Sequence, residues 1–467
     1  MRIFRTKFVE CDEGEGAGLS RVLTAFDLTF LGIGAIIGTG IFVLTGIAAA
    51  TQSGPAVILS FVVAGVACAF AALAYAELAS AVGGCGSAYG YSYAAFGELV
   101  AWIIGWDLIL EYAVSVAAVA NGWSGYFNNA LTAMGLGLPE SLTKAPELGG
   151  IINLPAAGIV LILMALLCAG VKQSARSNNV MVVVKLATIF VFIVVAAFNV
   201  NPANWDPFMP FGWSGTSPEG KPVGVFAGAS IVFFAYVGFD AVSTAVEEAK
   251  NPRRDVPIGI IGSLVFCTVI YIVVSGLLTG IVPYTELNVA SPVSHALQLI
   301  GFQWASAMVA TGVIAGLTTV MLVLYYALTR IVFSMSRDGL LSPIFSTVHP
   351  ATKTPVRVII LCGIIMSIIA GLIPLGELAE LVNIGTLAAF VLVCFGVLAL
   401  RWTRPELERP FKTPFSPLFP ILGMLSCGAL MAFLPAITWL RFIVWLVIGV
   451  IIYFSYSFHH SKLNVKE

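Results

Sequence analysis

The 467 residues are 59% hydrophobic and 10% charged, with a mean hydropathy of +0.98 and a net charge of -1. Soluble domains average roughly 25% charged residues, so the composition excludes an ordinary soluble globule. The near-zero charge gives no support to a nucleic-acid partner.

Residues 1–26 are polar and lack a short apolar core followed by a small-residue cleavage site, so they read as a tail and not as a signal peptide. Twelve apolar runs then follow, each read as a span across about 30 Å of hydrocarbon. Their expected limits are 27–50, 56–81, 99–127, 154–170, 180–199, 223–245, 258–281, 306–333, 356–373, 378–400, 418–434 and 442–458. With twelve spans and an inner N-terminus, all but four of the 23 Lys and Arg fall on the inner side. Lys144, Lys221 and Arg441 fall outside, and Lys185 falls within a span. This bias is the signature of insertion and predicts that both termini are cytoplasmic.

The first span contains Gly32, Gly34, Gly38 and Gly40 with Thr39 between the last two, and the sixth contains Phe233-Phe234-Ala235-Tyr236-Val237-Gly238-Phe239-Asp240. Both interrupt the helical pattern near mid-membrane. Unpaired backbone at that depth survives only where it lines a cavity, and matching interruptions in two halves of a chain point to a transporter's binding site. A half-helix starting there offers N–H groups and a positive dipole end to a carboxylate, while one ending there offers carbonyls to an ammonium group. Gly38, Thr39 and Gly40 are the expected donors. Ile36, Phe234, Ala235 and Val237 are the expected acceptors, with Gly238 allowing the turn and Phe239 closing over a ligand. The competing reading is helix packing, because Gly34 to Gly38 matches GxxxG.

Ionisable residues inside spans are functional candidates by default. Asp107 and Glu111 share a helical face, Lys185 is the sole intraspan base, and Asp240 follows the second break. Lys185 and Glu111 are the expected proton carriers, and Asp240 is either a third or a cap on the second half-helix. Asp107 reads as a partner of neighbouring loops, Lys185 alternatively as a snorkelling side chain, and Glu77, Glu247 and Glu248 as gate or loop contacts. Neither the eight cysteines nor the four histidines have metal-ligand spacing, and a disulfide framework is not expected.

Several stretches together resemble the amino acid–polyamine–organocation transporter superfamily, in particular bacterial relatives of the cationic amino acid transporters. They are Gly32–Phe42, Gly86-Ser87-Ala88-Tyr89 through Tyr112, Phe233–Thr244, the segment 247–257, Ser336-Arg337-Asp338-Gly339-Leu340-Leu341 and Pro410-Phe411-Lys412-Thr413-Pro414. The chain departs from the pattern at Gly83-Gly84-Cys85, where relatives carry a proline, and at Ser342. The resemblance implies an all-α membrane protein with two inverted five-helix repeats (27–199 and 223–400) in a LeuT-like arrangement. Helices 1 and 6 would be discontinuous, and a peripheral helix pair (401–458) and a tail (459–467) would follow. It also implies that Lys185 takes the place of a sodium ion, with protons as coupling ion and no other cofactor. Leu324 matches a position that is small in cationic carriers, so the expected substrate is a small, neutral, alanine-like L-amino acid. The expected activity is proton-coupled symport in the bacterial inner membrane, surrounded by lipid. Exchange of amino acids or polyamines, or carriage of arginine, is the alternative, and a small membrane subunit is left open. An intramembrane aspartyl protease would need Gly-x-Gly-Asp where Val237-Gly238-Phe239-Asp240 stands, and a nutrient sensor would need longer tails than these.

Overall fold

A chain of this composition must close its backbone hydrogen bonds inside helices when no water is at hand. The computed structural model describes residues 23–82, 88–170, 175–218, 220–349, 352 and 354–464. The motif residues Gly83 to Ser87 with Cys85, as well as Cys11 and Lys172, lie outside the described residues, as do the side chains of Arg176, Thr244, Glu247 and Glu248. The described fold is helical, with one two-residue antiparallel ladder, Gly215–Thr216 against Pro222–Val223.

The principal helices are α1 (Ala25–Ile36), α2 (Val57–Val82), α3 (Glu98–Ala133), α4 (Leu154–Cys168), α5 (Ala175–Ala197) and α6 (Val225–Val232). They continue with α7 (Pro252–Ile281), α8 (Gln303–Arg337), α9 (Val356–Leu372), α10 (Leu375–Thr403), α11 (Leu418–Ala432) and α12 (Ala436–Ile452). Among the described residues, eight helical segments are long and apolar enough to cross a membrane, with 40–82 counted as one; α1, α4, α9 and α11 are shorter apolar helices. Helix α3 runs beyond its expected limits of 99–127, because Asn128 and Asn129 continue the helix past the apolar run.

Helix α1 opens with a capping box. The Thr24 hydroxyl accepts from the Asp27 N–H at 3.3 Å, and the Asp27 carboxylate accepts from the Thr24 N–H at 3.0 Å. The Lys250 N–H donates to the Leu23 carbonyl at 2.8 Å, tying the start of α1 to the end of the sixth apolar segment. Helix α3 packs on α8 and α10, α2 on α7, and α1 on both α7 and α5. These contacts bury the two interruptions at the centre.

At the opposite end of α2, Glu77 is a clamp rather than a gate. Arg401 donates to both of its carboxylate oxygens, at 2.9 and 2.7 Å, and the Thr413 N–H adds a bond of 2.7 Å. The loop after α10 is thereby fixed to α2. Glu98, buried at the start of α3, accepts from Tyr93 at 3.2 Å, from Tyr453 at 3.1 Å, and from Ser461. These bonds dock the C-terminal segment against the start of α3. Removing one member of a buried pair leaves its partner uncompensated. Glu77→Gln is therefore expected to destabilise the protein by about 3 kcal/mol, read as a lower thermal midpoint in detergent with the helical content unchanged at low temperature.

Candidate functional site

Helix α1 stops at Ile36, and Ile37 leaves helical geometry with ψ 102°. The chain resumes as a wide π-type turn at Gly40–Leu44 with Thr39 at its cap. In the sixth segment, α6 tightens into the 3-10 turn Phe233–Tyr236, Val237 is extended, and Gly238 takes φ +114°. A second 3-10 stretch, Phe239–Glu248, follows. Gly238 is one position where glycine is required, because L side chains rarely reach that φ.

The interruptions touch. A Cβ on Gly40 would overlap the Cα of Ala235, and one on Gly238 would stand 3.1 Å from the Ala35 carbonyl. Gly34 and Gly38 separate the packing and ligand readings of GxxxG. A Cβ on Gly34 would meet Val182 at 2.9 Å, whereas one on Gly38 would find nothing nearer than Val320 at 3.8 Å. Gly34 serves packing; Gly38 borders a cavity.

That cavity is lined by Ala35, Ile36, Gly38, Thr39 and Gly40 of the first break, by Phe234 and Val237 of the second, and by Ser115, Val119, Val320 and Leu324 of α3 and α8. The space left for the centre of a water-sized sphere is about 20 Å³, which is room for about one water. An organic ligand enters only when the helices separate. Because the helix resumes at Thr39, the N–H groups of its first turn have no helical carbonyl ahead of them. Of the expected site residues, Ala235, Gly238 and Phe239 do not line this cavity. Phe239 is fully buried, with ring centroids 5.0 Å from Phe390 and 5.9 Å from Tyr75. Phe234 lines the cavity instead, and Phe239 packs toward α2 and α10.

The carbonyls at the end of α1 are taken up in turn. Ile33 accepts from the Ile37 N–H at 3.0 Å, and Gly34 accepts from Lys185 Nζ at 2.6 Å. Lys185 is 1% exposed and does not snorkel; its ammonium sits at a helix C-terminus, where the dipole favours a cation. The Tyr271 hydroxyl lies 3.0 Å from the Ile36 carbonyl and 2.9 Å from that of Ala235, joining both interrupted segments through one group. Sequence reasoning missed Tyr271, although a hydroxyl at the middle of an apolar run must find a partner there.

Asp240 lies against the backbone amides of Gly238, Asp240 and Ala241 and beside the Tyr112 hydroxyl. It therefore caps the second half-helix. Glu111 is 1% exposed, and its Oε1 has no hydrogen-bond partner. Asp107 does not reach a loop as expected: it is 3% exposed, with an unpartnered Oδ1 facing Gly385 on α10. Ser115, one turn beyond Glu111, was also missed, although the same four-residue spacing leads to it. Among the described residues no cluster of His, Cys, Asp and Glu is arranged to hold a metal ion.

Two variants test this geometry. Tyr271→Phe removes one hydroxyl from both carbonyls, a loss of about 1–2 kcal/mol, and should weaken substrate half-saturation without lowering the amount of folded protein. Gly40→Ala should abolish transport, because its methyl group has no room against Ala235, whereas Gly38→Ala should fold normally and lose ligand affinity.

A family model described as "Amino acid permease" matches residues 23–457. Over 466 aligned positions, covering 99% of both chains, this chain is 50% identical to the methylthioribose transporter of Bacillus subtilis (strain 168). It is equally 50% identical, over 471 aligned positions and 99% of both chains, to the branched-chain amino acid permease BcaP of the same organism. Cationic amino acid transporter 4 of Mus musculus is 32% identical over 573 aligned positions, covering 96% of this chain and 89% of that one. A membrane-embedded helical chain with this family match along nearly its whole length, and with relatives that are transporters and not enzymes, belongs to the amino acid permease family of the amino acid–polyamine–organocation superfamily.

Proposed function

We propose that this chain is a proton-coupled symporter of neutral aliphatic L-amino acids, working by alternating access in a bacterial cell membrane. The observation that carries this reading is the cavity, lined by residues of both helix breaks together with apolar residues of α3 and α8. A zwitterion needs donors for its carboxylate and acceptors for its ammonium group, and the two breaks supply both without a charged side chain. Val119, Phe234, Val237, Val320 and Leu324 then leave an aliphatic side chain in an apolar environment. Alanine-like substrates fit this description. The similarity to a branched-chain amino acid permease extends it to leucine, isoleucine and valine.

In this reading the chain has twelve spans with both termini inside. The segments 27–199 and 223–400 are inverted repeats that meet at the two breaks, and 401–458 is a peripheral pair. Lys185, bonded to the end of α1, senses the position of that helix. Its loss of a proton removes the charge that strengthens the bond to the Gly34 carbonyl and so loosens α1, with Glu111 and Asp240 on the same route. The turns at Ile37–Thr39 and Val237–Gly238 are the hinges.

The methylthioribose transporter is as similar as the branched-chain permease, and Thr39 and Ser115 each carry a buried, unpartnered hydroxyl oxygen at the cavity. A thioether sugar is accordingly the second reading. Uptake of labelled leucine, alanine, arginine and methylthioribose into proteoliposomes under an inward proton gradient separates the readings. Leucine or alanine accumulation is the expected result. Uptake of the sugar alone, or of amino acids only into preloaded vesicles, would overturn it. Lys185→Ala should lose gradient-driven accumulation. Leu324→Ser should admit arginine with roughly tenfold better competition, on the scale of one relieved apolar contact.

A further inference from the structure

Asp107, Glu111, Ser115 and Val119 follow at four-residue intervals along α3 and so share one face. Ser115 and Val119 line the cavity. Glu111 lies one turn, and Asp107 two turns, nearer the start of α3, where the C-terminal segment docks on Glu98. Each of the three polar members is at most 3% exposed and keeps an oxygen without a partner: Ser115 Oγ, Glu111 Oε1 and Asp107 Oδ1. Buried polar atoms left unpaired in line from a cavity mark a path that takes up water or a proton.

The groups around this column sort its members. Asp240, on the facing half-helix, has the amides of that half-helix and the Tyr112 hydroxyl beside it but also keeps an unpartnered Oδ1. Glu111 faces Asp240, Asp107 and the Thr386 hydroxyl of α10, and that hydroxyl also donates to the Val382 carbonyl at 3.0 Å. The Thr386 hydroxyl therefore has one proton to share between Glu111 and the Val382 carbonyl. Tyr75 of α2 and Tyr91 of the helix Ala88–Ala95 complete the surroundings, and no lysine, arginine or histidine acts on Asp107 or Glu111 among the described residues. Lys185 is engaged elsewhere, at Gly34. Three buried carboxyl groups without a cation cannot all be ionised together. A Cβ at Gly385 would stand 2.7 Å from Asp107 Oδ1, so glycine keeps open the space into which that oxygen points.

We propose that Asp107 is a further proton-carrying residue of the transport cycle. The O–H bond of protonated Glu111 breaks, and the proton passes, directly or through one bridging water, to the Asp107 carboxylate. From there it leaves toward the start of α3 as that end opens. The column from Ser115 through Glu111 to Asp107 is then the inner half of the proton route. This inference rests on the proton-coupled reading above.

The test is Asp107→Asn, which preserves shape but cannot take up and release a proton. In proteoliposomes, gradient-driven accumulation of leucine is compared with leucine counterflow at equal pH on both sides. A relay predicts that the ratio of accumulation to counterflow falls by about tenfold or more and that Asp107→Glu recovers much of it. An unchanged ratio would overturn the proposal. So would an equal loss of both activities, which would mark Asp107 as structural. If the wild-type protein shows counterflow but no gradient-driven accumulation, proton coupling itself fails, and this inference fails with it. That outcome is recognised before any variant is made.

Discussion

An interrupted helix in hydrocarbon leaves amides and carbonyls unpaired at a cost of several kcal/mol each, and this chain holds two such interruptions in contact. Most of the polar groups in the core can be understood as answers to that constraint. Lys185 takes the Gly34 carbonyl, Tyr271 takes those of Ile36 and Ala235, and Asp240 covers the amides that begin the second half-helix. Thr39 and Gly40, in the first turn after the first break, line the cavity. In the proposed reading, a site that recognises charge with backbone alone is a consequence of helices that stop where water is absent.

The same constraint ties binding to movement. Lys185 and Tyr271 hold the end of α1 from two sides, through α5 and α7. Any displacement of α1 must break or carry those bonds, and the cavity of about 20 Å³ requires displacement before a ligand can enter. The clamps at Glu77 and Glu98 lie toward the end of α2 and at the start of α3. They fix the framework against which α1 and the sixth segment can move.

Much of this was legible in the sequence because glycine and apolar run length have direct physical meaning in a membrane. The two breaks, the buried base in the fifth span and the i, i+4 acids of the third could all be read from spacing. Rotation about a helix axis could not be read once the helix stopped being α. Phe234 and Phe239 were both expected at the site, but the 3-10 turns of the sixth segment place Phe234 at the cavity and Phe239 against Phe390. Tyr271 was hidden because its value lies in two carbonyls, 235 and 36 residues away along the chain. Glu77 was read as a gate or loop contact, but its arginine partner, 324 residues distant, was hidden.

The central claim is that backbone groups of the two breaks read both charged ends of an amino acid. Binding to the purified protein should be compared among leucine, its decarboxylated amine and its deaminated acid, which share one aliphatic side chain. The account predicts saturable leucine binding, and a loss of about 2 kcal/mol or more for either analogue, since each leaves one set of buried polar groups unpaired. Equal binding of leucine and either analogue would show that the break does not read that end of the ligand and would contradict the account.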